Sequence, residues 1–563
     1  MLSRRWSTAW RLLRSGELKE FLIKSIGFLR NASNEKPSID YVKWREKWVE
    51  LDEEKRSFFY EKLDTLISRP LFSVFISTDN TNLDSLFLTI ESVKNQIYPD
   101  WILYLTSENQ LDPDLCEKVS SFGDSRIKLG RFESFDVSDW FVGLDSTTRL
   151  HEAAFLSAVI AINENQGISI VYTDHDHIGH SRNFCDPHMK PAWNADLFAA
   201  MDYLSPLVFC EKELWKIWID CKSDRHGFLL EATKGLSSSQ IFHISSVLAS
   251  VLTGYENSYL EPPVKRPIYD VPDPEPLVSI LIPTRDQGRM LKKCLESLYE
   301  KTRYSNFEIV LVDHETSESK ALKVIEEFEL QENFEVVSFS GDFNFAAMIN
   351  GAAEVANGDV FVLLNNDTEI FDAGWLKELV AQVSRPEIGI AGALLLFGDG
   401  TIQHAGIHPG IGGLMGHGHK HLSGDSSGYF NRLKAVHEVA AVTGACLAIE
   451  KTTWFDLNGL DEENLAVAYN DVDLCLKVRQ KNLKVIFTPF SKLFHHESVS
   501  RGIDDAPERN ARLQSEIQVM KERWGGMLNH DPAYSPNLSS DGGGFSLAEA
   551  PKKKFFGTQK RNF

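Results

Sequence analysis

The sequence predicts an α/β protein built from two tandem units of alternating strands and helices, and three observations lead to this prediction. The apolar, β-rich segments 71–78 and 101–107 enclose a helical pattern, which is the order of a parallel strand–helix–strand unit. The same alternation returns in cleaner form from residue 277 onward. Between the two copies, residues 269–276 hold three prolines and three acidic residues and are predicted to form a linker.

Length and composition limit the class of protein. A chain of 563 residues is too long for one hydrophobic core, and 43% hydrophobic with 25% charged residues is ordinary for a globular protein. A formal net charge of -21 argues against nucleic acid as a partner. The seven cysteines are scattered without a CxxC pair, which indicates reduced thiols and a cytoplasmic location.

The two ends of the chain differ from the middle. Residues 1–69 are predicted to form an N-terminal helical segment, in which residues 1–32 are basic and carry a possible apolar face. That combination suits peripheral contact with the inner face of the plasma membrane, while packing on the protein itself is the open alternative. Charged residues interrupt the apolar stretch, so neither a signal peptide nor a spanning helix is expected. Residues 536–563 are glycine-rich and then basic, and are predicted to be disordered.

Polar side chains follow three predicted strands of the second unit. The runs 277–284, 307–314 and 359–364 are typical of strands buried on both faces of a parallel sheet. In open α/β sheets the ligand crevice lies at the carboxyl ends of such strands. The polar residues at these ends are Thr284, Asp286, Asp313, Asn365, Asn366 and Asp367. Each aspartate alone suits a turn or a helix cap, but their shared edge favours a metal and nucleotide site.

Two later stretches supply candidates for acid–base chemistry and metal binding. Asp471 lies where a predicted helix begins, and a carboxylate aimed into a crevice from that position can act as a general base. The helix dipole alone also explains an acid there. His495 and His496 end a strand-like run. Histidine is a common metal ligand, and a buried, hydrogen-bonded pair is the open alternative.

From about residue 276 to residue 535 the chain resembles the family 2 glycosyltransferases of the GT-A fold, a Rossmann-like architecture. The resemblance runs through the blocks SILIPTRD, EIVLVD, FNFAAMING, LLNNDTE, GTIQHAGI, VTGACLAI, GLDEENLAVAYNDVDLCLKVR and LFHHESVSRG. Most similar are bacterial enzymes of O-antigen and cell-envelope polysaccharide biosynthesis, many of them rhamnosyltransferases. The resemblance implies a catalytic GT-A domain over 277–535, preceded by a degenerate GT-A-like domain over 70–268.

The resemblance also implies roles for individual residues. Asp471 matches the catalytic base, and the metal ligands match Asp367, Asn365 and His495. The nucleotide sugar is expected against Pro283, Thr284, Asp286, Asp313, Asn350 and Asn366. The acceptor and its sugar are expected at Trp375, His404, Gly444 and Asn470, with His417 and His419 also near a sugar.

The implied reaction is an inverting, metal-dependent transfer of a hexosyl or deoxyhexosyl group. The donor is a UDP- or dTDP-sugar, the cofactor is Mg²⁺ or Mn²⁺, and the acceptor is a hydroxyl of a surface-polysaccharide or lipid-linked glycan. One departure from the family pattern is the sequence VDHETSES at 312–319, where the family continues with Asn, Ser and Asp. Donor identity is therefore less certain than donor binding.

Three alternatives stay open at this level. The chain could be a non-catalytic scaffold that binds nucleotide sugars or glycans, although the retention of Asp367, Asp471 and His495 argues for an enzyme. A nucleotidyltransferase would need a glycine- and lysine-rich phosphate loop, which the stretch 283–293 resembles poorly. In the first unit, the acidic, histidine-containing segment 174–185 could bind a transition metal or form surface turns.

Overall fold

The computed structural model describes residues 39–79, 81–108, 113–179, 181–221, 224–254, 264–496, 507–529, 531–540 and 544–552. The basic residues considered for membrane contact, 1–32, lie outside these ranges. Within the ranges, no helix is both long enough and apolar enough to cross a membrane.

The chain divides into two compact units, residues 1–50 and residues 51–563. In the smaller unit the structure describes helix α1 (Tyr41–Trp48). Asp40 caps this helix, because its side chain accepts a hydrogen bond from the backbone N–H of Lys43.

The first sheet of the larger unit is built between residues 72 and 252. Its strands are β1 (Phe72–Ser77), β2 (Trp101–Thr106), β3 (Ile127–Gly130), β4 (Trp140–Leu144), β5 (Thr148–Leu150), β6 (Ile170–Ile178), β7 (Phe184–His188), β8 (Val208–Glu211) and β9 (Ile241–Leu252). The helices of this part are α2 (Glu53–Asp64), α3 (Leu83–Lys94), α4 (Pro113–Ser121), α5 (Ala154–Glu164), α6 (Ala195–Ala200), α7 (Trp215–Cys221) and α8 (Arg225–Thr233).

The second sheet follows the linker region. Its strands are β10 (Val278–Thr284), β11 (Phe307–His314), β12 (Phe334–Phe339), β13 (Val360–Leu364), β14 (Thr368–Ile370), β15 (Ile388–Leu396), β16 (Ile402–His404), β19 (His437–Glu438), β20 (Cys446–Glu450) and β21 (Lys484–His495), while β17 (Ile407–Pro409) and β18 (Met415–His417) form a separate hairpin. The helices are α9 (Gly288–Lys301), α10 (Ser319–Phe328), α11 (Phe345–Val355), α12 (Trp375–Val383), α13 (Lys451–Asp456), α14 (Asn470–Gln480) and α15 (Pro507–Leu528).

The two sheets repeat one topology. Among the described residues the order is β3-β2-β1-β4-β8-β6-β9-β5 in the first sheet and β12-β11-β10-β13-β20-β15-β21-β14 in the second. Corresponding neighbours also pair in the same sense: β1 with β2 and β10 with β11 are parallel, whereas β4 with β8 and β13 with β20 are antiparallel. The predicted α/β class and the tandem arrangement of two related units are therefore confirmed.

Apolar residues on successive positions of a central strand reach opposite faces of the second sheet. Leu281 of β10 belongs to the core on one face, and its neighbours Ile280 and Ile282 belong to the core on the other. This alternation follows from the period of two along a strand. Both faces are covered, as the continuous apolar sequence of the strand indicated.

Buried polar contacts join the two sheets within the larger unit. The Asn194 amide donates to the Glu438 carbonyl at 3.0 Å and accepts from the Glu438 backbone N–H at 3.2 Å. Arg385 forms an ion pair with Asp196 at 2.6 Å, where the Asp196 side chain is only 2% exposed. Arg385 thus compensates the negative charge of a buried carboxylate.

The predicted disorder of residues 536–563 is wrong for the part that the structure describes. Leu538 and Phe545 are buried, and the rings of Phe545 and His419 stack with centroids 4.1 Å apart. The Asn537 amide donates to Asp174 of the first sheet at 3.2 Å. The glycine-rich composition suggested an unpacked tail, but Leu538 and Phe545 pack within the larger unit. Residues 541–543 and 553–563 lie outside the described ranges.

Candidate active site

The carboxyl ends of three parallel strands meet at one edge of the second sheet, as the sequence predicted. Thr284 of β10 lies opposite Asp313 of β11 in the strand register. β13 runs parallel to β10 on its other side, and Asn366, just beyond β13, donates its amide N–H to Thr284 Oγ1 at 2.8 Å. Thr284, Asp313 and Asn366 therefore line the same edge, with Pro283 one residue earlier on β10.

The pairing of β14 with β21 brings an aspartate and a histidine together. Thr368, the first residue of β14, lies opposite His495, the last residue of β21. This register places Asp367 Oδ1 3.0 Å from His495 Nε2, with side chains 9% and 10% exposed. Two residues that are 128 positions apart in sequence thus meet at a buried point beside the strand ends.

The hydrogen bonds around His495 define which ring nitrogen is available. Gln403 Oε1 lies 2.7 Å from Nδ1, and since an amide oxygen only accepts, Nδ1 carries the hydrogen. The Asn365 amide nitrogen lies 3.2 Å from Nε2, and Asp367 Oδ1 lies 3.0 Å from it. With the hydrogen on Nδ1, a neutral ring carries its lone pair on Nε2, beside the Asp367 carboxylate. A divalent cation bound by both atoms would offset the repulsion between them.

The donor set fits a magnesium- or manganese-type ion. A carboxylate oxygen and an imidazole nitrogen are accepted ligands of such ions. Among the residues that the structure describes, no group of three or more His, Cys, Asp or Glu side chains is arranged to hold a metal. A site with two protein ligands leaves the remaining coordination positions for phosphate oxygens and water.

His496 faces a different set of partners. Its Nε2 lies 3.2 Å from Glu369 Oε2, and Lys293 Nζ lies 2.7 Å from the same oxygen. Burial alone would raise the pKa of Glu369, but the hydrogen bonds from Lys293 and His496 outweigh it and lower the pKa. His496 is thus engaged in an ionic cluster next to the Asp367–His495 pair.

Asp471 is the second residue of α14, and the residue before the helix, Tyr469, has a left-handed φ of 61°. Its carboxylate accepts two backbone hydrogen bonds, one from Gly444 and one from Val472, both at 2.8 Å. A Cβ on Gly444 would lie 3.4 Å from the Asp471 Cβ, an ordinary van der Waals contact. Burial, followed by the charge of Asp471, raises the pKa of Tyr469.

The turn 443–445 connects Asp471 with the strand end at Asn365. Gly444 donates to Asp471, and the neighbouring carbonyl of Ala445 accepts from the backbone N–H of Asn365 at 3.1 Å. The candidate base and the Asp367–His495 pair therefore lie on either side of one short turn.

Three of the predicted binding residues use their polar groups to hold loops. The Asn350 amide donates to the Leu460 carbonyl at 2.9 Å and accepts from its N–H at 3.0 Å. The buried Asn470 amide donates to the carbonyls of Leu465 and Val467 at 3.3 and 3.2 Å.

Asp286, the third of these residues, is bound by the loop after β11. It accepts backbone hydrogen bonds from Ser317 and Glu318 at 2.7 and 2.8 Å, and these bonds lower its pKa. Its carboxylate thus ties the loop after β10 to the start of α10.

Two predicted acceptor residues are misplaced by the sequence interpretation. Trp375 is fully buried in the core, and its indole N–H donates to Thr302 Oγ1 at 3.0 Å. His404 is also fully buried, with its Nδ1 2.8 Å from that of His417. Burial lowers the pKa of His404 well below its ordinary value, so this ring is neutral. Because neither side chain reaches the surface, neither offers a contact to a sugar.

The acidic segment of the first unit is a core feature. Asp174 is fully buried and accepts from the backbone N–H of Lys190 and pairs with His243 Nε2, both at 2.8 Å. These contacts, with that from Asn537, satisfy the carboxylate without a metal. His180, part of the metal alternative, lies outside the described residues.

Sequence reasoning missed Gln403 and the cluster of Lys293, Glu369 and His496. Gln403 stands in the quoted block GTIQHAGI, but its neighbour His404 attracted the functional interpretation. The pairing of β16 with β15 shifts register at Gln403, because Ile402 lies opposite Leu396 and His404 lies opposite Leu395. Gln403 is the extra residue of this bulge, and only the tertiary structure shows that its side chain reaches His495.

Comparison with known proteins agrees with this arrangement. Residues 279–415 match the family described as "Glycosyl transferase family 2". The chain is 33% identical over 548 residues to "Uncharacterized protein y4gI" of Sinorhizobium fredii (strain NBRC 101917 / NGR234), covering 86% of this chain and 60% of that protein. It is 27% identical over 565 residues to "O-antigen biosynthesis protein RfbC" of Myxococcus xanthus, covering 91% of this chain and 43% of that protein. The chain thus spans about half the length of these curated relatives.

Solved structures show weaker likeness. GalNAc-T7 in complex with UDP, GalNAc and Mn²⁺ aligns with a TM-score of 0.36 at 18% identity, covering 44% of this chain and 48% of that chain. The mannosyltransferase PcManGT from Pyrobaculum calidifontis, in complex with GDP-Man and Mn²⁺, aligns with a TM-score of 0.34 at 16% identity, covering 47% and 72%. The family match, within the sheet that carries the Asp367–His495 pair, confirms the predicted family: the chain carries a glycosyltransferase family 2 domain.

Proposed function

We propose that the domain carrying the second sheet, residues 277–535, transfers a sugar from a nucleoside diphosphate donor to a glycan. The donor is a UDP- or dTDP-sugar, and the acceptor is a hydroxyl of a surface-polysaccharide or lipid-linked glycan. The observation that carries this proposal is the buried contact of Asp367 with His495 at the edge where the parallel strands end, with Asp471 on the other side of a short turn. The family 2 domain supports the reaction class, and the relationship to an O-antigen biosynthesis protein supports a polysaccharide acceptor.

Asp367 and His495 are the residues that would hold Mg²⁺ or Mn²⁺. When bound, such an ion supplies Lewis-acid stabilisation of the charge that develops on the departing diphosphate. The Asn365 amide nitrogen lies 3.2 Å from His495 Nε2, beside the position that such an ion would take. Thr284, Asn366 and Asp313 form the edge against which we place the nucleotide, following the general position of ligands in open α/β sheets.

Asp471 is proposed as the general base. The backbone N–H groups of Gly444 and Val472 orient its carboxylate. In this orientation the carboxylate takes a proton from the acceptor hydroxyl. The deprotonated oxygen then attacks the anomeric carbon from the face opposite the leaving diphosphate. One displacement of this kind inverts the configuration of the sugar, as in inverting glycosidases.

The location proposed for this reaction is the cytoplasmic side of the membrane. All seven cysteines are free thiols in the structure, and four of them are buried. Reduced cysteines agree with a reducing compartment. Contact of the basic N-terminus with the membrane remains part of the proposal and rests on the sequence of residues 1–32.

Calorimetric titration with UDP-, dTDP- and GDP-sugars, with and without Mn²⁺, tests the function. One donor is expected to bind in a metal-dependent manner, and that donor is then used to follow release of nucleoside diphosphate. The variant Asp471→Asn should keep donor binding while turnover falls about 10²–10⁴-fold, the typical contribution of a general base. Full turnover in this variant would remove Asp471 as the base. No binding of any donor to folded protein would favour the non-catalytic scaffold.

A further inference from the structure

We infer that Gln403 is a positioning residue that fixes His495 in the tautomer able to bind a divalent cation. The inference rests on the proposed metal-dependent function and assigns a role to a residue that does not itself touch the metal or the sugar.

Gln403 meets His495 in a buried place. The two side chains are 4% and 8% exposed, and Gln403 Oε1 lies 2.7 Å from His495 Nδ1. Away from water, a hydrogen bond of this length has few competitors, and breaking it would leave a buried polar atom unsatisfied. The contact therefore strongly favours the ring orientation and the Nδ1–H tautomer.

The tautomer decides whether Nε2 can act as a ligand. A neutral imidazole has one protonated nitrogen and one lone pair. With the hydrogen held on Nδ1 by Gln403, the lone pair is on Nε2, the atom 3.0 Å from Asp367 Oδ1. If the hydrogen moved to Nε2, that nitrogen would donate to Asp367 and could no longer bind a metal. Outer hydrogen bonds of this kind orient the ligands in many metal sites.

The strand that carries Gln403 is fixed on both sides of it. In the pairing of β16 with β15, Ile402 lies opposite Leu396 and His404 lies opposite Leu395. Ile402 also packs into the core. Gln403 lies between these two paired residues as the extra residue of a bulge, which places its backbone so that its side chain reaches His495.

Two variants of nearly equal size separate hydrogen bonding from packing. Gln403→Met keeps the length of the side chain but has no strong acceptor, whereas Gln403→Glu keeps an acceptor oxygen in the same place. The probes are Mn²⁺ titrated calorimetrically in the presence of UDP, and electron spin echo modulation from an imidazole nitrogen bound to Mn²⁺. Both measurements are independent of catalytic turnover, and circular dichroism checks that each variant is folded.

Wild-type protein is expected to bind Mn²⁺ with a nitrogen modulation from His495. Gln403→Met should weaken Mn²⁺ binding about 10–100-fold, the usual effect of losing an outer hydrogen bond, and should lose the modulation. Gln403→Glu should retain both. Wild-type affinity and modulation in Gln403→Met would overturn the inference, as would a folded Gln403→Glu that binds as weakly as Gln403→Met. If wild-type protein binds no Mn²⁺, the proposed metal site itself fails, together with this inference.

Discussion

The two sheets share strand order and pairing but differ at the positions where the second carries its candidate metal ligands. In the second sheet, Asp367 precedes β14 directly and His495 lies opposite the first residue of that strand. At the corresponding positions of the first sheet, Thr147 precedes β5 directly and Val251 lies opposite its first residue. The hydroxyl of Thr147 and the isopropyl group of Val251 cannot bind a divalent cation as a carboxylate and an imidazole do.

The surroundings differ in the same way. Asp145 follows β4 as Asn365 follows β13, and it is paired with Arg225 at 2.9 Å. Arg225 begins α8, the helix that corresponds to α14 with Asp471 near its start. In the first unit an internal ion pair thus lies where the second has its candidate base and metal ligands.

The two sheets share a strand order, but the positions that match Asp367 and His495 hold neither a carboxylate nor an imidazole in the first sheet. Strand order depends on apolar periodicity along many residues, which tolerates substitution. A metal site depends on two or three side chains, so single substitutions remove it. The first unit retains the buried interface through Asp196 and Arg385, and we interpret it as a structural support for the second.

The sharpest test of this difference is the number of Mn²⁺ sites. With UDP present, wild-type protein should bind one Mn²⁺ per chain, Asp367→Ala should bind none, and the matched variant Thr147→Ala should bind like wild type. The physical reason is that the positions matching Asp367 and His495 hold Thr147 and Val251 in the first sheet. Calorimetric stoichiometry measures this directly. A site that persists in folded Asp367→Ala would show that metal binding lies elsewhere.

A smaller effect is expected on stability, at the start of the corresponding helices. Asp473 in α14 is fully buried and binds Arg523 Nη1 and Trp524 Nε1, both at 2.8 Å. Asp473→Ala should lower the free energy of unfolding by about 1–3 kcal/mol, because the buried Trp524 N–H loses its acceptor. Arg523, which is 31% exposed, keeps its second partner Asp461 at 2.7 Å.

The matched control for this prediction is Arg225→Ala in α8. The Arg225–Asp145 pair is 20% and 39% exposed, so its loss should change the free energy of unfolding by at most about 1 kcal/mol. Denaturant titration compares the two variants. Equal losses of stability in the two variants would mean that the Arg225–Asp145 pair contributes as much to the free energy of unfolding as the contacts of Asp473.

The smallest expected effect is that of pH on stability, and here the parts of the chain that carry the first and second sheets should behave alike. Burial lowers the pKa of His188 in the first unit well below its ordinary value and that of His437 in the second to about 3. In the unfolded chain both titrate near 6.5. Below about pH 6.5 the unfolded chain therefore binds protons that the folded protein excludes, and stability falls with pH by about 1.4 kcal/mol per unit for each histidine.

Replacing either histidine should remove part of this slope. Unfolding measured between pH 7 and pH 5 should show a smaller pH dependence in His188→Gln and in His437→Gln, whatever the change in absolute stability. An unchanged slope in one variant would mean that its histidine accepts a proton in the folded protein.

Much of the architecture could be predicted from the sequence. Continuous apolar runs such as 359–364 predicted strands buried on both faces, and their polar ends predicted the shared edge at which Asn366 donates to Thr284. The family prediction was confirmed by the match to residues 279–415. Trp375 and His404 were assigned wrongly because a local block of sequence does not show which face of an element is buried.

The sequence by itself determined the two α/β units, the polar strand ends and the candidates Asp367, Asp471 and His495, because strand periodicity and residue chemistry are local properties. Tertiary structure alone decided that Asp367 meets His495, that Gln403 rather than His404 supports that histidine, and that the tail around Phe545 packs. These outcomes depend on the register between strands far apart in the chain. A shift of one residue turns every side chain to the opposite face, and no local pattern records that register.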